Sequence, residues 1–90
     1  MSSESKLNFD IFDALDRARE ILGKELCISI SVHNESNNNV GVRISVHSIK
    51  LYSYQFLINE IELSRPELAG VFNFRFHQAL RSLQHHLNSE

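Results

Sequence analysis

Ninety residues, 42% of them apolar, with a formal charge of −2, are expected to make one globular domain with no room for a second. The near-neutral balance argues against a general polyanion binder, though it leaves room for a local basic patch. Cys27 is the lone cysteine, which excludes an internal disulfide and fits a reducing compartment.

A chain of this size buries only roughly 60–65% of its unfolded surface, so a partner that covers more would add stability. No apolar run approaches the roughly 20 residues needed to span a bilayer. The start, MSSESKLNFD, is polar and acidic, with no basic stretch leading into an apolar one. Cytoplasmic placement with no membrane contact is therefore expected. Residues 1–7 read as a flexible N-terminal tail, because Leu7 alone cannot offset the entropy of ordering them. Residues 8–90 read as a single α+β domain.

The segment NFDIFDALDRAREILG carries Ile11, Phe12, Leu15, Ala18 and Leu22 at helical spacing. Asn8 is the expected N-cap, with Asp10 and Asp13 near the positive end of the helix dipole and Lys24 just past the negative end. Gly23 supplies the left-handed residue that stops the helix. Asp13–Arg17 and Asp16–Arg19 are favourable pairs on the outer face, and Asp16–Glu20 is an unfavourable one.

The period then becomes two. Leu26, Ile28, Ile30 and Val32 alternate with Cys27, Ser29, Ser31 and His33. Val40, Val42, Ile44 and Val46 alternate with Gly41, Arg43, Ser45 and His47. Each reads as a half-buried strand rich in β-branched residues. The intervening NESNNN is all turn formers, with asparagines that tolerate left-handed backbone. An antiparallel hairpin with a loop of about six residues follows. Beyond His47 the alternation slips, since Ile49 and Leu51 fall on the other parity, so a bulge or break is expected near Ser48. The second strand is then expected to run on as a long, bent edge open to pairing with another subunit.

Tyr54, Leu57, Ile58 and Ile61 return to helical spacing, with Ser53 as N-cap, although a strand through 53–58 is the alternative. Ser64 and Glu67 in SRPE read as a capping box, with Pro66 tolerated in the first turn and pushing Arg65 towards an extended backbone. A stripe of Leu68, Phe72, Phe76, Ala79, Leu80, Leu83 and Leu87 then predicts a last helix of roughly six turns.

Phe72, Phe74 and Phe76 also alternate as a strand would. The twenty-residue stripe around them and the cap before them favour the helix. At about 100° per residue Phe74 then lies about 200° from Phe72, on a second apolar face with Val71, followed by Gln78 and Arg81. Either the preceding helix covers that face or it meets a second subunit. Aromatic residues anchor such interfaces, so Val71, Phe74, Gln78 and Arg81 are the candidate interface.

Chemistry-bearing groups are sparse. Pairing 28 with 46 and 32 with 42 would set Cys27 opposite His47, the pairing that activates a nucleophilic thiol, but no third orienting group or oxyanion hole accompanies it. His33 and His47 fall at opposite ends of the hairpin. His85 and His86 diverge on a helix, and His77 has no ligand partner at 80 or 81. No metal, cofactor or catalytic residue is expected. The three glycines are isolated, and no phosphate loop, nucleophile elbow or HExxH occurs. The outward sheet face offers Ser29, Ser31, His33, Arg43 and Ser45, continuing to Lys50, Tyr52 and Tyr54, and the last helix adds Arg75 and Arg81. Arg43, Lys50, Tyr52 and Arg75 are the candidate nucleic-acid face, since cations beside aromatics on a sheet can stack and neutralise single strands.

The expected architecture is α-β-β-α-α, an antiparallel β-hairpin with helices on one face. The expected role is a non-enzymatic protein–protein interaction module, a homodimeric regulator or adaptor with a further, unidentified protein partner. Nucleic-acid binding is the alternative.

Overall fold

The computed structural model describes residues 11–35 and 37–90, apart from the side chains of Leu63, Ser64, Pro66 and Ala69. The expected tail, 1–7, and the expected cap at Asn8 lie outside the described residues.

Helix α1 spans Ile11–Leu22. Asp13–Arg17 (3.1 Å) and Asp16–Arg19 (3.8 Å) form the expected outer-face pairs. Gly23 ends the helix at φ +136°, its N–H donating to the Arg19 carbonyl at 3.0 Å. The buried face differs from the expected stripe. It centres on Ala14 and Ala18, with Ile11, Leu15, Ile21 and Leu22 at its flanks, and Phe12 is 76% exposed. Two small residues let the helix axis approach the sheet closely, and that rotation carries Phe12 about 120° from the contact line.

Three strands follow: β1 (Cys27–Asn34), β2 (Asn39–His47) and β3 (Leu51–Asn59), antiparallel in the order β1-β2-β3. The register of the first pair is the expected one, Ile28 opposite Val46 and Val32 opposite Val42. The turn between them uses left-handed asparagines, Asn37 at φ 59° and Asn38 at φ 63°. It is tighter than expected, because Asn34 still pairs with Val40.

The two-stranded hairpin with a bulge near Ser48 is corrected by β3. The chain reverses over residues 48–50, with the Ser48 N–H donating to the Lys50 carbonyl at 2.9 Å, and His47 pairs with Leu51. The same reversal absorbs the parity slip. Residues 53–59, expected as helix with Ser53 as cap, belong to this third strand. The Tyr52, Tyr54, Phe56 and Ile58 side chains take the inner face opposite Val46, Ile44, Val42 and Val40. Only after Asn59 does a short helix, α2 (Glu60–Ser64), form.

Its cap is the capping box of this region: Asn59 Oδ1 accepts from the Ile61 N–H at 2.8 Å, and the Asn59 N–H donates to Glu62 Oε1 at 3.3 Å. Ser64 therefore ends α2 and does not open the last helix. Arg65 is extended, as a residue before proline should be. A 3₁₀ turn over Pro66–Leu68 leads into α3 (Ala69–Asn88), whose N-terminus has no side-chain cap.

Helix α3 settles the phenylalanines. Phe72, Phe76, Ala79, Leu80 and Leu83 are buried on one side, and the Phe72 and Phe76 rings stack at 5.4 Å. They pack on Val40, Val42, Ile44, Val46 and Ile58, so the core lies between the helices and the middle strand. Alongside, α1 and α3 are joined by Arg17 Nη1 donating to Asn73 Oδ1 (3.0 Å) and Gln84 Nε2 donating to the Ile21 carbonyl (3.1 Å). The result is a small α+β domain of two layers, a three-stranded sheet with helices on one face.

Candidate interaction site

The candidate interface on α3 is intact as a surface. Phe74 is 64% exposed, Gln78 and Arg81 are exposed, and Val71 is half-buried. Helical spacing puts all four on one stripe, facing away from the sheet. The expected cover from a helix over 54–63 does not arise, because that segment is mostly strand.

The outer sheet face is built in rows across the strands. Cys27, His47 and Leu51 form one row, and Ser29, Ser45 and Ser53 the next. Ser31, Arg43 and Gln55 follow, then His33, Gly41 and Leu57. The polar groups at the centre of this face are engaged with one another. Ser45 and Ser53 share a hydrogen bond of 3.0 Å, and Arg43 donates from Nε and Nη2 to Gln55 Oε1 at 3.3 and 3.1 Å. His33 Nε2 lies 2.8 Å from Glu35 Oε2. Its imidazole crosses the strand above Gly41, where a Cβ would stand only 2.7 Å from Nε2, so glycine is what lets the ring lie flat. Cys27 does stand opposite His47, but the third member of that row is Leu51, an apolar neighbour and not an orienting acid. Among the described residues, no group of three His, Cys, Asp or Glu side chains is placed to hold a metal ion.

The candidate nucleic-acid residues do not share a surface. Arg43 lies on the outer sheet face, bonded to Gln55. Lys50 lies in the β2–β3 turn. Tyr52 is on the inner face, its ring stacked on His86 at 5.7 Å. Arg75 projects from α3 to donate to the Leu57 carbonyl. Partial burial, then a hydrogen bond to Glu90 and that carboxylate's charge, raise the Tyr52 phenol above its ordinary pKa.

A third surface is the free edge of β3. The Glu60 N–H donates to the Asn38 carbonyl at 2.8 Å, on the same diagonal as the Ser48–Lys50 bond. Antiparallel pairs alternate, so even-numbered β3 residues turn their backbone groups towards β2. Leu51, Ser53, Gln55, Leu57 and Asn59 turn theirs outward. Two of those groups are occupied: the Leu57 carbonyl accepts from Arg75, and the Asn59 N–H donates to Glu62. Among the described residues, the outward backbone groups of Leu51, Ser53 and Gln55 have no partner. This edge was legible only as the general expectation of an unpaired overhang near residue 50, because the third strand itself was read as helix.

Compared with protein-family models, with curated proteins and with solved structures, the chain matches none. No helix among the described residues is long and apolar enough to cross a membrane.

Proposed function

We propose that this chain is a non-enzymatic protein–protein interaction module that works as a homodimer, in the manner of a small regulator or adaptor. The observation that carries this reading is the distribution of exposed large apolar side chains. Among the described residues, all but Phe12 lie on β3, on the segments that flank it, or on α3: Ile49, Leu51, Leu57, Ile61 and Phe74. Leu51 and Leu57 lie on the outer sheet face and Phe74 on the far side of α3, and exposed large apolar side chains on such surfaces favour contact with another protein. A chain with so small a core also gains from covering them. The nucleic-acid alternative has less support, because Arg43, Lys50, Tyr52 and Arg75 are dispersed over separate surfaces.

Light scattering on the wild type and on Phe74→Asp tests the reading. A dimer at micromolar concentration is expected. Replacing an aromatic anchor with a carboxylate should weaken it by about 2 kcal/mol, roughly thirtyfold in Kd. A monomer in both proteins removes the reading. A wild-type dimer unaffected by the substitution keeps self-association and removes Phe74 from the contact.

A further inference from the structure

We propose that two copies of this chain join through β3, strand against strand, about a two-fold axis that passes at Ser53. This rests on the reading of the chain as a self-associating module and assigns the seam. The backbone identifies what covers the edge. Among the described residues, Leu51, Ser53 and Gln55 present outward N–H and C=O groups without protein partners, and an extended strand satisfies such a row all at once.

The pattern also selects the partner and the register. A two-fold axis at Ser53 maps the open set onto itself, with Leu51 against Gln55 of the second copy and Ser53 against its own equivalent. Antiparallel pairing then gives each N–H and C=O of Leu51, Ser53 and Gln55 a hydrogen-bond partner. The Leu57 carbonyl and the Asn59 N–H keep their bonds to Arg75 and Glu62. Centring the axis on Gln55 would instead take the Asn59 N–H from Glu62 and bring a second donor to the Leu57 carbonyl beside Arg75.

Side chains agree with this register. On the inner face Tyr52 meets Tyr54 of the second copy, and both rings are only half-buried in one chain. Leu57, exposed in one chain, lies beyond Gln55 towards the β2–β3 turn of the second copy, which carries the exposed Ile49. From Leu51 to Asn59 there is no charged residue to repel its image. Arg75 sits beside Leu57, four residues from the axis, so the two guanidinium groups are about 27 Å apart along the strands. Because α3 lies beside β3, the two α3 helices flank the seam, and the stripe of Val71, Phe74 and Gln78 borders it, with Val71 and Gln78 nearest the β3 edge. The opposite edge, on β1, carries none of the exposed large apolar side chains among the described residues.

Two substitutions and one exchange measurement test the seam in the full chain. Ser53→Pro removes an outward N–H and leaves the ladder to β2 intact, since proline is tolerated where the N–H faces solvent. Ser53→Lys sets two ammonium groups opposite each other on the axis and keeps the backbone. By light scattering, Ser53→Pro should be a monomer with an unchanged far-ultraviolet circular dichroism spectrum. Ser53→Lys should raise the dimer Kd about tenfold, and less at high salt. In the wild type, hydrogen exchange should show protected amides at Leu51, Ser53 and Gln55 that become fast in the variants. Should Ser53→Pro fail to fold, Ser53→Lys and the wild-type exchange pattern still decide. A wild-type dimer that survives both substitutions, with Ser53 and Gln55 exchanging freely, overturns the seam and leaves self-association standing. A wild-type chain that is monomeric at every concentration overturns both.

Discussion

Tyr52 sits where three segments meet. Its ring stacks on His86, and its hydroxyl lies near the Glu90 carboxylate, whose Oε1 accepts from Ser48 Oγ at 2.9 Å. These contacts tie the end of α3 to the β2–β3 turn. They favour the neutral phenol and raise its pKa above the ordinary 10.0. A group whose pKa is raised on folding stabilises the fold fully below its unfolded pKa and loses that contribution as pH rises through the folded value. Urea unfolding should therefore show a Tyr52 contribution that is constant through neutral pH and declines above about pH 10, where the unfolded phenol ionises first. Tyr52→Phe should flatten that decline relative to the wild type. Identical slopes would mean the phenol is as free in the fold as in the open chain. Phe74 and Phe12 show what residue-level reading can reach. Phe74 was legible as standing off the core stripe because angle alone places it there, given the long stripe from Leu68. Phe12 was not, because the contact line of α1 is set by two alanines, whose small size brings the axis close to the sheet and outweighs the pull of the larger ring.

The third strand is the element the sequence concealed. Tyr54, Leu57, Ile58 and Ile61 fit a helix, while Tyr52, Tyr54, Phe56 and Ile58 fit a strand, and the two patterns share residues. Nothing in SIK marks a reversal, since it lacks glycine, proline and asparagine. What decides is tertiary: β2 presents a continuous buried face of Val40, Val42, Ile44 and Val46, which needs a neighbour on its far side, and only the even-parity set of β3 supplies one. The helical signal was real but displaced, for Asn59 and Glu62 form the capping box that Ser64 and Glu67 were expected to form. Replacing Asn59 with Ala should cost about 1 kcal/mol in urea unfolding. It should also free the Ile61 N–H, so that exchange at that amide accelerates. An unchanged Ile61 amide would mean that α2 stands on packing against α3 and not on its cap.

At the scale of the molecule, stability is concentrated where α3 crosses the sheet. A domain of this length is expected to be stable by only about 5–13 kcal/mol, so one core deletion removes a large share. Leu83 is fully buried, among the contacts of α3 with the sheet. Leu87, one turn later on the same stripe, is only partly buried. Both leucines were legible as core from spacing, and spacing cannot rank them, because their difference depends on where the sheet ends beneath the helix. Leu83→Ala should cost about 2–5 kcal/mol, the transfer free energy plus a cavity that rigid neighbours cannot close. Leu87→Ala should cost less than half as much, since solvent already reaches its site and little cavity remains. Urea midpoints for the two variants at one fixed concentration make the comparison, and the fixed concentration matters because a self-associating chain gains stability with dose. Equal losses would place the centre of the core nearer the end of α3, with the Tyr52–His86–Glu90 contacts carrying as much of the fold as the phenylalanines do.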